Sequence, residues 1–271
     1  MSSSGPAGRT DLLETLARIG YATKGLLYLL VGGLATGYAL GRGGRISDGQ
    51  GALESMSHRP MGMLLPWAVA VGLGAYALWR LVQAVWDPES TRRDARRIGK
   101  RIGFGVSGLA HAGLCVAVVQ LAFGHRQQGG AARQTHLAEV LRLPGGALLV
   151  AGAALAVLGV AGYELYAAYS SSFMQRIRTG HMSVAEQKWA RRAGQLGLMA
   201  HGVVFGVIGY FLLQVARSGR SNQFKGLAGA LREIAARTHS GFLFGVFAVG
   251  LIGYAVHMLF TARYLRIGWD A

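Results

Sequence analysis

The sequence predicts an all-α, polytopic integral membrane protein: six transmembrane helices built as three tandem two-helix repeats in a pseudo-threefold arrangement. Three observations carry this. One unit occurs three times, an Arg-Ile-Gly-Tyr-like opening into an apolar segment, a polar loop, and a second apolar segment with a Gly-x-x-Gly-Tyr-like signature. Six apolar runs are long enough to cross hydrocarbon of about 30 Å, which takes about 20 residues. Hydrophobic residues make up 52% of the chain and charged ones 15%, and most charges sit in the connections, as exclusion of ionisable groups from lipid requires.

Residues 1–16 open with a small-residue stretch and are expected to form a disordered cytoplasmic tail. No short hydrophobic stretch with a small-residue cleavage site precedes residue 19, so the first run reads as an uncleaved span. Repeat 1 (17–90) carries spans 19–41 and 61–86, opening at Arg18-Ile19-Gly20-Tyr21 and closing with Gly72-Leu73-Gly74-Ala75-Tyr76. Repeat 2 (100–170) carries spans 102–124 and 144–169, with Arg101-Ile102-Gly103-Phe104 and Gly159-Val160-Ala161-Gly162-Tyr163. Repeat 3 (190–267) carries spans 194–216 and 241–262, with Gly194-Gln195-Leu196-Gly197 and Gly250-Leu251-Ile252-Gly253-Tyr254. The closing tyrosines are spaced by 87 and 91 residues, a long fixed period that implies duplication and fusion.

Each outward connection holds a short helix-compatible stretch, at 52–56, 136–141 and 227–234, and Leu227, Leu231 and Ile234 recur at helical spacing. The connections 87–101 and 170–193 are rich in Arg and Lys. With both termini on that same side, it holds 15 basic residues against 11 on the other. Basic residues near span ends are retained in the cytoplasm, so the expected location is the cell (inner) membrane, multi-pass, both termini cytoplasmic.

The net charge is +16. The basic residues flank spans and are not interleaved with aromatic base-stacking surface, which argues against nucleic-acid binding and for anionic lipid headgroups as counter-charge. The single cysteine, Cys115, falls inside the third span, so no intramolecular disulfide forms. There is no Gly-x-x-x-x-Gly-Lys-Ser/Thr, no His-Glu-x-x-His and no nucleophile elbow, so an enzyme is not expected, nor is a metal or other cofactor. The chain has 42 glycines, with intervals of four at Gly33, Gly37 and Gly41, at Gly202 and Gly206, and at Gly241 and Gly245. Small residues at that spacing let helices approach closely, within the bundle or towards a second copy or partner membrane subunit.

The stretches Ala17–Gly25, Gly49–Leu53, Gly72–Ala84 and Ala262–Ile267 together resemble the bacterial membrane proteins grouped as domain of unknown function 1206. The resemblance covers residues 17–267 and implies three copies of a two-helix module. It brings no reaction, ligand or catalytic residue. The third copy departs from the opening signature, with Gln195 in place of Arg.

Aligning the copies on their glycines makes Lys24, Ser107 and His201 equivalent, and one turn deeper Tyr28, His111 and Phe205. In the even spans Tyr76, Tyr163 and Tyr254 correspond, as do Trp79, Tyr166 and His257. At about 1.5 Å per residue, His111, His201 and His257 lie roughly 8–14 Å inside the cytoplasmic ends, and Glu164 is at similar depth. A two-span repeat returns to the same side each time, so equivalent faces converge on a central axis along the membrane normal. Ionisable groups in hydrocarbon mark functional sites by default. The expected ligand-binding set is therefore Lys24, Tyr28, Ser107, His111, Tyr163, Glu164, His201, Tyr254 and His257, with Lys24 and Glu164 able to pair. The leading functional expectation is binding or transport of a small molecule, ion or lipid through a polar cavity in the cytoplasmic half. The alternatives are a structural or accessory subunit packed through glycine faces, and a haem protein with two histidine ligands.

Overall fold

A computed structural model describes residues 6–57, 64–86, 95–125, 129–238 and 241–265. In chain order its helices are α1 (Pro6–Ala39), α2 (Gly49–Ser57), α3 (Leu64–Trp86), α4 (Ala95–Ala122), α5 (Gly129–Arg142), α6 (Gly146–Ser170), α7 (Val184–Ser218), α8 (Leu227–Arg237) and α9 (Gly241–Tyr264). Six of them, α1, α3, α4, α6, α7 and α9, are long and apolar enough to cross a membrane. The expected loop helices fall within α2, α5 and α8.

Two boundaries correct the sequence reading. Of the tail expected over 1–16, residues 6–16 are helix, because α1 already runs from Pro6, and residues 1–5 lie outside the described residues; proline suits a first turn, where its missing N–H has no helical partner. Leu13 packs on the core beside Ala17 and Tyr21, and Glu14 pairs with Arg18 and, at 3.6 Å, with Arg178. Helix α7 begins ten residues before the expected 194. A capping box at Ser183 and Glu186 satisfies its first turn from both sides, so the basic residues Lys188, Arg191 and Arg192 lie on helix.

The spans contact one another in the order α4, α3, α1, α9, α7, α6, a ring left open between α4 and α6. The most extensive contacts join consecutive repeats: α3 with α4, α6 with α7, and α9 with α1. Glycines set these contacts. A Cβ added at Gly25 would lie 3.1 Å from the Ala255 carbonyl oxygen, one at Gly108 3.3 Å from that of Ala77, and one at Gly202 3.1 Å from that of Ala161. Three equivalent glycines thus receive three equivalent carbonyls, which is the pseudo-threefold relation at atomic level.

Repeat 2 is its irregular member. Its partner residues Ala77, Ala161 and Ala255 are spaced by 84 and 94 residues, whereas the tyrosine motifs are spaced by 87 and 91. Helix α6 therefore sits on α7 three residues out of register, about 4.5 Å along its axis and some 60° in rotation. Within repeats 1 and 3 the two spans touch backbone to backbone: a Cβ at Gly20 would lie 2.7 Å from Tyr76 Cα, and one at Gly197 2.3 Å from the Tyr254 nitrogen. The equivalent Gly103 meets nothing within 4 Å, and α4 and α6 share no substantial interface among the described residues. The ring has an open seam there.

Of the glycines expected to pack helices, Gly202 does so against α6, while Gly241 and Gly245 approach Ala39 at the end of α1. Gly37 lies close to Gly44 in the following turn. Gly33 and Gly206 meet no neighbouring helix, and Gly41 lies past the end of α1 at φ 64°, where its freedom to turn left-handed is what the chain uses. A spacing of four places these glycines on one face but does not say whether a helix lies opposite.

Side chains tie the ring at both ends. The Arg101 guanidinium donates to the carbonyls of Ala84 and Val85 at 2.6 and 2.8 Å, at the end of α3, satisfying acceptors that a helix terminus leaves open. Gln195, which replaces that arginine in repeat 3, donates to Ser171 Oγ just past α6 at 3.1 Å. The replacement keeps the tie to the preceding span. The segment 171–183 folds over the same end in two short 3₁₀ turns, burying Phe173 and Met182 and bridging Ile177 to Leu265. At the other end α2 buries Ala52 and Leu53, and α8 buries Ala230, Leu231 and Ile234. The connections are cross-linked by Arg133 to Asp48 at 2.9 Å and by Gln134 to the carbonyls of Asn222 and Phe224.

Candidate functional site

Side chains from all six spans meet at the ring's centre. Helix α7 presents His201, which is 1% exposed and takes a partner on each ring nitrogen. Its Nδ1 lies 2.5 Å from Glu164 Oε2 on α6, and its Nε2 lies 2.7 Å from the Tyr28 hydroxyl on α1. An ionised carboxylate only accepts, so Nδ1–H donates to Glu164 and Nε2 accepts from Tyr28. The imidazole is stacked on Tyr254 of α9 at 4.0 Å and 4° and on Phe205 at 4.3 Å. Glu164 faces inward because of the register offset of α6.

Lys24, one turn before Tyr28, holds its ammonium 5.2, 5.4 and 5.9 Å from the ring centroids of Tyr254, Tyr76 and Tyr28. Such a cradle attracts a cation through the ring quadrupoles. No carboxylate oxygen lies within 4 Å of Lys24 among the described residues. The possible Lys24–Glu164 ion pair does not form, because Glu164 is committed to His201. His111 on α4 donates from Nδ1 to the Ser107 carbonyl at 2.7 Å, and its ring lies 4.6 Å from that of Tyr76.

Lys24, Tyr28, Glu164, His201 and Tyr254 thus form one contiguous cluster, joined by His111 and Ser107 across Tyr76. His257 is buried on the flank, edge-on to Phe173 at 4.8 Å. Tyr163 is 45% exposed on the outside of the ring and does not join Tyr76 and Tyr254; the offset that turns Glu164 inward turns Tyr163 away. Both nitrogens of His201 are engaged, which leaves it none for iron, so the geometry gives the haem expectation no support. No group of three or more His, Cys, Asp or Glu is placed to hold a metal ion among the described residues.

Sequence reasoning passed over Arg80. Its guanidinium donates twice to the Tyr76 hydroxyl, at 2.9 and 2.7 Å, and once to Gln83 Oε1 at 3.0 Å, and lies 5.0 Å from the Tyr76 centroid. The signal was present, since Arg80 and Lys24 are the two basic residues inside the predicted spans. Tyr76, fully buried, links the two cations. The cluster therefore contains two cations and one carboxylate, and that carboxylate is occupied.

Beside it lies a cavity of about 70 Å³ lined by Lys24, Tyr28 and His111 at a polar end and by Leu27, Val31, Leu73, Leu114 and Leu227 elsewhere. Holding one water takes about 10–15 Å³ of such space, so there is room for a few waters or a small anion.

The sequence profile of a family described as Domain of Unknown Function (DUF1206) matches residues 19–87, 102–171 and 196–265. The chain is similar to the Uncharacterized protein YxxB of Bacillus subtilis (strain 168), 29% identical over 260 residues that cover 95% of this chain and 93% of that one. No solved structure matches.

Proposed function

Because the chain belongs to the DUF1206 family, with three family modules enclosing a single polar centre, we propose that this multi-pass membrane protein binds or transports a small anionic molecule. The observation that carries the reading is the cavity whose polar end is made by Lys24, Tyr28 and His111. An uncompensated charge in a low-dielectric interior costs several kcal/mol unless it finds a partner or water, and the cluster holds one more cation than carboxylate. A small anion at Lys24 balances it, held by the ammonium itself; the Tyr28 hydroxyl proton and the His111 Nδ1–H are already given to His201 and to the Ser107 carbonyl.

The basic residues around 87–101 and 170–193 support a topology with those loops and both termini in the cytoplasm, against the anionic headgroups of the inner membrane. The site then lies in the cytoplasmic half. Nothing in its side chains calls for catalysis, and binding is the proposed activity. A second reading, an accessory subunit or homo-oligomer packed through glycine faces, is favoured by Gly33 and Gly206, which meet no other helix among the described residues.

The test is thermal unfolding of the purified protein in lipid nanodiscs with acetate, butyrate or phosphate, alongside native mass spectrometry. An anion that occupies the site raises Tm, and Lys24→Met abolishes the rise while remaining folded. A wild-type Tm that no anion moves, or a Lys24→Met protein that responds equally, sinks the anion site. A colourless, ligand-free protein of defined multimeric mass supports the accessory reading.

A further inference from the structure

We infer that the open seam between α4 and α6 is a lateral portal for a hydrocarbon chain, so that the ligand of the Lys24 site is a single-chain anionic amphiphile. This rests on the anion-site reading and adds the ligand's second half. In repeat 1 the two spans are closed by Gly20 against Tyr76 and by Thr23 against Gly72; in repeat 3 by Gly197 against Tyr254 and by Ala200 against Gly250. The corresponding residues of repeat 2 are Gly103 and Val106 on α4 and, in the register α6 adopts, Ala156 and Val160 on α6, flanked by Gly159 and Tyr163. Gly103 and Gly159 meet nothing within 4 Å, while Val106 is 40% and Tyr163 45% exposed. The same interface that is shut twice is open once.

The seam adjoins the cavity. On α4, Gly103 and Ser107 lie one turn apart on one side, and His111 follows a turn later. His111 and Leu114 line the cavity, so the wall of the seam continues into the wall of the site. Lys24, Tyr28, Ser107, His111 and Phe205, all at the centre of the ring, are only half-buried. The end helices agree: 11% of the apolar window of α4 and 22% of that of α6 are buried, against 39–50% for the other four spans.

An acyl chain is the occupant these surfaces fit. The gap is at membrane depth, where hydrocarbon is the surrounding solvent, and Gly103, Val106 and Gly159 give it an apolar wall, with the half-exposed Tyr163 ring along one side. From Gly103 to Gly113 it offers about 15 Å of helix. At its inner end stands the surplus cation. A carboxylate or phosphate headgroup would sit at Lys24 with its chain running out between α4 and α6, each buried methylene adding to affinity.

The experiment compares dodecanoate, dodecyl phosphate, butyrate and dodecyltrimethylammonium on the full chain in nanodiscs, by thermal unfolding. Dodecanoate or dodecyl phosphate should raise Tm by about 5 °C at saturation and act at a concentration at least about tenfold below that of butyrate; the better of the two headgroups identifies the anion. The double variant Gly103→Leu/Gly159→Leu fills the seam at positions that touch nothing. It should reduce the long-chain anion to the potency of butyrate and leave the butyrate response unchanged. Equal potency of butyrate and dodecanoate in the wild type, or undiminished dodecanoate potency in the seam variant, overturns the portal while the anion site stands. An equal effect of dodecyltrimethylammonium overturns it as well. Failure of every anion on the wild type removes the anion site and the portal with it. Independently of any variant, dodecanoate with a photoreactive group at its chain end should label peptides of α4 and α6; labelling confined to other spans overturns the portal.

Discussion

Glu164 and His201 show how much depends on a single side chain at membrane depth. Glu164 is 8% exposed and His201 1%, and each is the other's partner at 2.5 Å. Removing one leaves the other's polar atom in a place where water cannot replace the lost bond, a loss of about 1–3 kcal/mol. Glu164→Leu and His201→Phe should therefore each destabilise the protein by about that much. The double variant should cost less than the sum, by about 1 kcal/mol or more. Urea or thermal unfolding of the four proteins in one detergent checks this, and simple additivity would show that the pair is not coupled. Tyr28 shares the same imidazole, so Tyr28→Phe is expected to weaken the network without breaking the carboxylate contact. The inward side chains Lys24, Tyr28, His111 and His201 were legible in the sequence from the glycine alignment of the odd spans, whose register the structure keeps. Tyr163 was not, because its position depends on how α6 is set against α7.

At the scale of elements, glycines decide helix contacts by what lies opposite them. A Cβ at Gly20 or Gly197 would fall 2.3–2.9 Å from backbone atoms of the neighbouring helix, closer than real atoms approach, and the two helices would have to part. Gly20→Leu and Gly197→Leu should each cost about 3 kcal/mol or more, beyond ordinary overpacking, whereas Gly206→Leu, which meets nothing, should leave Tm nearly unchanged in the monomer. A Gly206→Leu protein as damaged as the others would show that its face is covered by another molecule. The register of α6 has its own check. Replacing Cys115 and introducing cysteine pairs, Gly202→Cys with Leu165→Cys should cross-link, since a Cβ at Gly202 lies 3.1 Å from Leu165 Cγ. The pair that the tyrosine motif would make equivalent to Gly25 and Leu259, Gly202→Cys with Ala168→Cys, should not. Efficient oxidation of the second pair alone would restore the motif register and turn Glu164 away from His201. Outside the membrane, Lys225 and then Arg237 hold the Glu233 carboxyl below its ordinary 4.5, so the tie it gives α8 is complete above that pH and is lost as acid protonates it.

The whole molecule is a threefold ring with one repeat released from the symmetry. Repeats 1 and 3 close their own helix pairs and lie against each other through α1 and α9, which makes a continuous half-ring with Tyr76 and Tyr254 buried in it. Repeat 2 contributes its two spans to opposite ends of that half-ring, α4 on α3 and α6 on α7, and leaves the seam between them. The short helices follow the same division: α2 and α8 bury apolar side chains against the bundle, while α5 has no fully buried side chain among residues 130–142. One asymmetric polar centre is what three copies make when one of them is set differently.

Composition, span length and the recurring motifs determined by themselves that the chain forms six membrane helices in three modules. Those properties follow from exclusion of charge from lipid and from the backbone's need to bond within each segment. They also determined which faces of the odd spans look inward, because a helix repeats its faces every turn. What the tertiary structure decided is how the helices stand against one another: a three-residue slide of α6, the commitment of Glu164 to His201 in preference to Lys24, the recruitment of Arg80 to Tyr76, and the open seam. These depend on which glycine finds which carbonyl across a gap. That is a relation between two segments far apart in the chain, and neither segment's own residues contain it.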